Sequence, residues 1–273
     1  MGKFFTIDIT PDVINGTVAG VIQSDKTDLA FAVNDLVFDW TAVDVPSGSK
    51  VLKSASMYIA GEDGGVQAAG MQQLIFAKSI NKEAPSSLGA VNAAPNAGFT
   101  TPLHFVGACN VGGYNATFPT SGQIGALAFG TYYMAGSIGP FPDSNDTSNE
   151  GGSAMNLPIV IDTEPGSGTN VGYDKLYVAM TTQARLDFST GVLSTGAISA
   201  DTQKNVPVDT VDPQKCFQVG DIIYVHDVDT ALGTIASIAS GEITLEANNA
   251  AAVANNDEIV NANPIRIKLG FER

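Results

Sequence analysis

Apolar residues recur at every second position along most of this chain, and that period constrains the fold more than any other feature. The cleanest run is at the end. Ile265, Ile267, Leu269 and Phe271 fall on one face, with Arg266, Lys268 and Glu272 on the other. Side chains of a strand alternate between faces, whereas a helix repeats every 3.6 residues, so the run reads as a half-buried strand. Phe5, Ile7 and Ile9 repeat the pattern, as do Leu29, Phe31 and Val33, and then Leu36, Phe38 and Trp40. Residues 51–59, 74–77, 176–180 and 186–188 are further strand candidates. No segment of useful length sustains helical periodicity with caps; residues 66–73 fit either one short helix or a bulged loop. The 29 glycines and 13 prolines punctuate the chain as short strands and turns require. The expected fold class is all-β.

The alternation fails between 195 and 215, where Gly196, Asp201, Asn205, Pro207, Asp209, Asp212 and Pro213 accumulate. This break predicts a β-sandwich over 1–195, a linker over 196–216 and a small β domain over 217–273. Within the last part, residues 219–225 and 232–238 read as strands. Ser240-Gly241 turns the chain into Ile243-Thr244-Leu245, a hairpin signal, and Asn255-Asn256-Asp257 turns it again before Ile259. Several short strands in so few residues predict a small barrel or sandwich, because closure removes exposed edges.

Residues 84–142 contain no Asp, Glu, Lys or Arg. Read as core, the tract is a set of buried strands joined by long ordered loops. Read as surface, it docks against a neighbouring subunit, because interface centres are poor in charge and rich in aromatics. The two readings can hold for different parts. The candidate interface residues are Phe99, Phe105, Tyr114, Phe118, Tyr132, Tyr133 and Phe141. A membrane span over 124–141 is disfavoured by Gly125, Gly130, Gly136, Gly139 and Pro140 and by the absence of flanking basic residues.

The net charge of −15, with no Lys/Arg cluster, argues against a nucleic-acid partner and against an anionic membrane. The opening residues read as a first strand rather than a signal peptide or a myristoylation site, despite Gly2 and Thr6. Cys109 and Cys216 belong to no CxxC pair and read as buried thiols, with one long-loop disulfide as the alternative. His104 reads as a hydrogen-bonded structural histidine. His226, beside Asp227 and Asp229, is sufficiently explained by a strand or turn. The acidic loop 143–150 departs from the EF-hand pattern at Thr147 and Ser148, and reads as solvated, a weak cation site being the alternative. There is no GxSxG, HExxH or P-loop, and burial in a strand accounts for the single Trp40. The expectation is a non-enzymatic protein without cofactor or metal.

The segment LVFDWTAVDVPSGSKVLKSASMYI, residues 36–59, resembles the opening strands of jelly-roll-like sandwiches in virion and surface proteins. The tail, with VGDIIYVHD, LGTIASIASGEITLEAN and NDEIVNANPIRIKLGFER, is similar to small β domains of tailed-bacteriophage structural proteins. The resemblance implies an assembly role in the virion, most simply as a capsid decoration or cement protein binding the capsid protein lattice and copies of itself. It carries no catalytic residues. The alternative is a phage tail or receptor-binding protein, or an adhesive carbohydrate-binding module in which Tyr132, Tyr133 and Tyr114 would supply an aromatic platform.

Overall fold

A computed structural model of the chain describes residues 4–13, 17–18, 21–22, 29–46, 48–60, 72–79, 84–95, 105–111, 130–137, 157–161, 173–189, 191–210, 213–226, 228 and 230–273. The regular structure among them is strand, apart from one 3-10 turn at Pro213–Lys215. The protein is all-β, built from several antiparallel sheets. The short helix considered for 66–73 lies mostly outside the described residues; Gln72 and Gln73 open a strand.

The first half contributes β1 (Phe4–Ile9), β2 (Thr17–Val18), β3 (Val21–Ile22), β4 (Ala30–Phe31), β5 (Leu36–Pro46), β6 (Gly48–Ala60), β7 (Gln72–Lys78), β8 (Phe105–Val111) and β9 (Gly130–Ser137). The second half adds β10 (Leu157–Ile161), β11 (Tyr173–Thr182), β12 (Leu186–Asp187), β13 (Val192–Leu193), β14 (Asn205–Pro207), β15 (Ile222–Val225), β16 (Ala231–Ala239), β17 (Glu242–Leu245), β18 (Glu258–Asn261) and β19 (Ile265–Glu272). Nine strands form one large sheet in the order β1-β19-β6-β9-β8-β7-β11-β5, with β10 also paired to β6. The long β6 is shared along one side: Gly48–Leu52 pair with β10 and Ser56–Ala60 with β9. Smaller pairs join β2 to β3 and β4 to β12.

This sheet curls over its own apolar face. Leu52, Met57 and Ile59 of β6 and Ile265, Ile267 and Leu269 of β19 share one buried cluster with Val43 and Val45 of β5, Phe76 of β7 and Val178 of β11. The alternation of β19 is realised as read, since Ile265, Ile267, Leu269 and Phe271 are all buried. That of β5 is not. Leu36 and Trp40 pack in a second cluster with Ile75, Ala77, Leu88 and Ala179, whereas Phe38 joins the main core. The cause is a break in register: Val178 pairs with Thr41, Met180 with Phe38 and Thr181 with Leu36. Extra residues on β5 opposite β11 make bulges, and each bulge resets which face a side chain takes. Val33 also leaves its expected face. It is 54% exposed at the tip of a turn in which Asn34 adopts φ 73° and the Asp35 carboxylate accepts the Ala32 N–H at 2.7 Å.

Six strands form a second sheet, in the order β13-β18-β15-β16-β17-β14. Its two ends meet. Ser194 bridges Val208, Thr195 N donates to Pro207 O at 3.1 Å, and Asp209 N donates to Leu193 O at 2.9 Å. The sheet surrounds its own core, including Val192, Val206, Ile223, Ile235, Ile243 and Ile259.

These pairings replace the expected division at 196–216. That tract supplies β14 and buries Ile198, Val206, Val208 and Cys216 in the small core. The final strand, expected in the small unit, instead lies between β1 and β6 in the large sheet. The small sheet is thus an insertion ahead of the last strand of the large one. Alternation marks β19 as a strand but carries no information about which neighbour it pairs with. Strands of two or three residues, like β13 and β14, are too short to show a period.

Close approach at the entrance to the insertion requires a glycine. A Cβ on Gly191 would lie 1.9 Å from the carbonyl oxygen of Ile259, and the Gly191 N–H donates to Glu258 Oε1 at 2.8 Å. Backbone must move to admit any side chain, so Gly191→Ala should cost about 3 kcal/mol or more. Gly196→Ala, where the nearest atom is 3.7 Å away, should stay within about 1 kcal/mol. Urea unfolding of the two variants checks the difference.

Candidate functional site

The residues read from sequence as a docking surface are divided by the structure. Phe99, Tyr114, Phe118 and Phe141 lie outside the described residues. Tyr132 and Tyr133 are adjacent on β9, opposite Tyr58 and Met57 of β6, inside the large sheet. Phe105 opens β8 and sets its ring edge-on to Trp40, with centroids 6.0 Å apart. Its role is packing in the second cluster. His104, Asp227, Asp229 and the acidic loop 143–150 lie outside the described residues. His226 is half-buried just past β15, where its backbone N–H donates to Glu258 O at 2.8 Å. Cys109 and Cys216 are both buried and form no disulfide, and burial pushes the Cys109 thiol well above its ordinary range. Among the described residues no group of three His, Cys, Asp or Glu side chains could hold a metal ion. No helix among them is long and apolar enough to cross a membrane.

Part of the uncharged tract is a strap. Residues 84–95 run beside β5 and cover Trp40. The Leu36 N–H donates to Ala93 O at 2.9 Å, and the Asn92 N–H donates to Leu36 O at 2.8 Å. The Trp40 indole N–H donates to Ser86 O at 2.8 Å. The strap is anchored on Asp39, which is buried on β5. One Asp39 oxygen accepts the N–H of Trp40 at 2.8 Å and of Leu88 at 3.2 Å; the other accepts the Ser87 hydroxyl at 2.5 Å. Burial raises the Asp39 pKa, and these hydrogen bonds offset only part of the shift.

A second buried carboxylate holds the two sheets together. Asp221 sits where the chain enters β15. Its oxygens accept from the Gln218 N–H at 2.7 Å, from Asn261 Nδ2 at 2.8 Å and from the Arg266 guanidinium of β19. Arg266 also donates to Val219 O at 3.3 Å. Asn261 Nδ2 reaches Cys216 O at 2.8 Å, and Asn261 Oδ1 accepts the Asn263 N–H at 2.7 Å. Asn263 accepts the Ile222 N–H at 3.0 Å and donates to Pro11 O at 3.2 Å. Tyr58 of β6 meets the Gln218 side chain, and burial raises its hydroxyl pKa. Burial likewise raises that of Asp221, against the opposing pull of its hydrogen bonds and of Arg266. Tyr224 and Val260 of the small sheet, with Ala262 just past β18, complete the contact by packing in the large core.

Both carboxylates therefore have all their oxygens engaged by structural donors. Each leaves a signal in the sequence: an acid amid Leu36-Val37-Phe38-Asp39-Trp40, and an acid leading into Ile222-Ile223. The Asn261-Ala262-Asn263-Pro264 run before the last strand marked the junction in the same way. The large apolar side chains exposed among the described residues are Phe4, Val33, Leu193 and Val219. Compared with family models, curated proteins and solved structures, the chain matches none.

The sign of the pH dependence follows from the raised carboxylates. A raised pKa means the folded state binds a proton more readily than the unfolded chain. Each of these carboxylates therefore contributes stability that is fully present below the unfolded value near 3.8 and is lost as pH rises through the folded value. In Asp39→Asn this loss should shrink, because the amide does not titrate while its oxygen still accepts the N–H groups of Trp40 and Leu88. Asp39→Ala should cost about 2 kcal/mol, since the N–H groups of Trp40 and Leu88 and the Ser87 hydroxyl all lose this acceptor. Melting temperatures of the three proteins from pH 4 to pH 8 are the measurement.

Proposed function

We propose that this chain is a non-enzymatic virion structural protein of the tailed-bacteriophage type, a capsid decoration or cement protein that binds and stabilises an assembled capsid lattice. The large sheet is read as a jelly-roll-like sandwich and the small one as a barrel seated on it. The observation that carries the proposal is the junction around Asp221 and Arg266. The small sheet is tied to the large one by two chain crossings, by buried hydrogen bonds and by shared core residues. A bead on a flexible tether would transmit little force; a body fixed in this way can brace one lattice subunit against the next. Many weak contacts then add up, because each engaged neighbour raises the effective concentration of the following contact.

The contact surface falls to the uncharged residues between the strap and β10. Phe99, Tyr114, Phe118, Tyr132, Tyr133 and Phe141 are its proposed anchors; aromatic side chains dominate many interfaces, and an uncharged surface is cheap to desolvate. Phe105 is withdrawn from this set because its ring is spent on Trp40. Residence is in the virion, with the protein joining a pre-assembled shell.

Co-sedimentation of the purified protein with undecorated capsids tests the reading. It should bind intact capsids far better than isolated capsid subunits and should raise the temperature at which the shell opens, and a chelator should change neither result. A protein that ignores capsids but binds host-cell glycans, or hydrolyses a polysaccharide, would replace this reading with the adhesin or enzyme alternative.

A further inference from the structure

The two ends of the large sheet are finished differently. At one end, β5 is broken by bulges, covered by the strap at Leu36, and closed by Pro46. These are common ways of preventing a sheet edge from pairing with another chain. At the other end, β1 pairs with β19 without interruption from Phe4↔Glu272 to Ile9↔Ile267. It has no bulge and no proline, and no hydrogen bond occupies its outer edge among the described residues. Phe4 is 72% exposed, more than any other large apolar side chain described.

We infer that the outer edge of β1 is a self-association site, at which two copies of this chain pair their β1 strands antiparallel about a twofold axis through Thr6. In that register Phe4 lies opposite Asp8 of the second copy, Phe5 opposite Ile7, and Thr6 opposite Thr6. The half-buried Phe5 and Ile7 then extend the core face, where Phe5 already stacks on Phe271 at 5.2 Å. Exposed Phe4, Thr6 and Asp8 align on the other face.

Charge favours a second copy as the occupant. A chain of net charge −15 repels itself, so copies associate where that charge is locally cancelled. This corner is such a place: Lys268 pairs with Asp8 at 3.3 Å and Lys53 with Glu272 at 3.1 Å. No like charges face one another in the twofold register. The two Asp8 residues are separated by a four-residue span, about 14 Å along the strand, which exceeds the screening length of about 8 Å in physiological salt. A contact of residues 4–8 from each copy is smaller than the roughly 1,200 Å² of a stable interface. The association is therefore weak and reversible, suited to copies already held side by side.

Sedimentation equilibrium of the full chain alone, up to about 1 mM, should show a reversible monomer–dimer equilibrium with a Kd between micromolar and millimolar. Phe4→Lys and Thr6→Lys each place a lysine on the edge and should weaken it by about tenfold or more with an unchanged melting temperature. Thr6→Lys stands in if Phe4→Lys disturbs the Phe5 stack. Hydrogen exchange should show protection gained with concentration at residues 4–9 and not at β5. The inference is overturned if the wild type is monomeric throughout, if a dimer is indifferent to both lysines, or if β1 becomes protected only on adding capsids. Because no capsid is needed for the first two readouts, their failure is separate from failure of the proposed function.

Discussion

The buried junction of Asp221, Arg266, Asn261 and Asn263 fixes the small sheet against the large one. β19 must return to the large sheet and lie between β1 and β6, so the small sheet cannot be placed independently. Its exit is the Asn-Ala-Asn-Pro run, whose polar groups would be stranded in the contact without partners. They are satisfied instead by one another and by backbone on both sides, from Cys216 O to Pro11 O. A buried polar network costs desolvation and is tolerable only when nearly every member is paired. In return it specifies geometry, because a slipped arrangement would leave a carboxylate or a guanidinium without its partner.

The strap over Trp40 obeys the same logic on the opposite side of the large sheet. The middle of that sheet is covered on both faces. In β7, Leu74 and Phe76 point to the main core while Ile75 and Ala77 point to the Trp40 cluster. Strands buried twice lose their polar alternation and become continuous apolar runs, as Leu74-Ile75-Phe76-Ala77 and Val178-Ala179-Met180 do. This explains part of the charge-free tract. Residues 84–95 lie against the outer face, and β8 completes the sheet beside β7, so a charged side chain directed inward there would be buried without water. Asp39 is the exception, and it is tolerated because the strap supplies two donors, the Ser87 hydroxyl and the Leu88 N–H, and Trp40 of β5 supplies a third.

Local patterning along the chain was enough to establish the fold class, the strand identity of most long elements, the inward face of β19 and the burial of both cysteines and of Trp40. These depend on local alternation and on the cost of exposing apolar surface, and both can be read along a chain. Which strands pair emerges only once the chain is folded. β19 looked like the close of the nearest small unit because proximity in sequence is the default expectation, but pairing is set by long-range register. The faces of Leu36 and Phe38 were likewise lost to the sequence, because a bulge is defined by the partner strand as well as by the bulged one. The roles of Asp39 and Asp221 were hidden for a related reason. A lone acid in an apolar run signals that a carboxylate is buried, but most of its partners lie 40 or more residues away and meet it only when the sheets close.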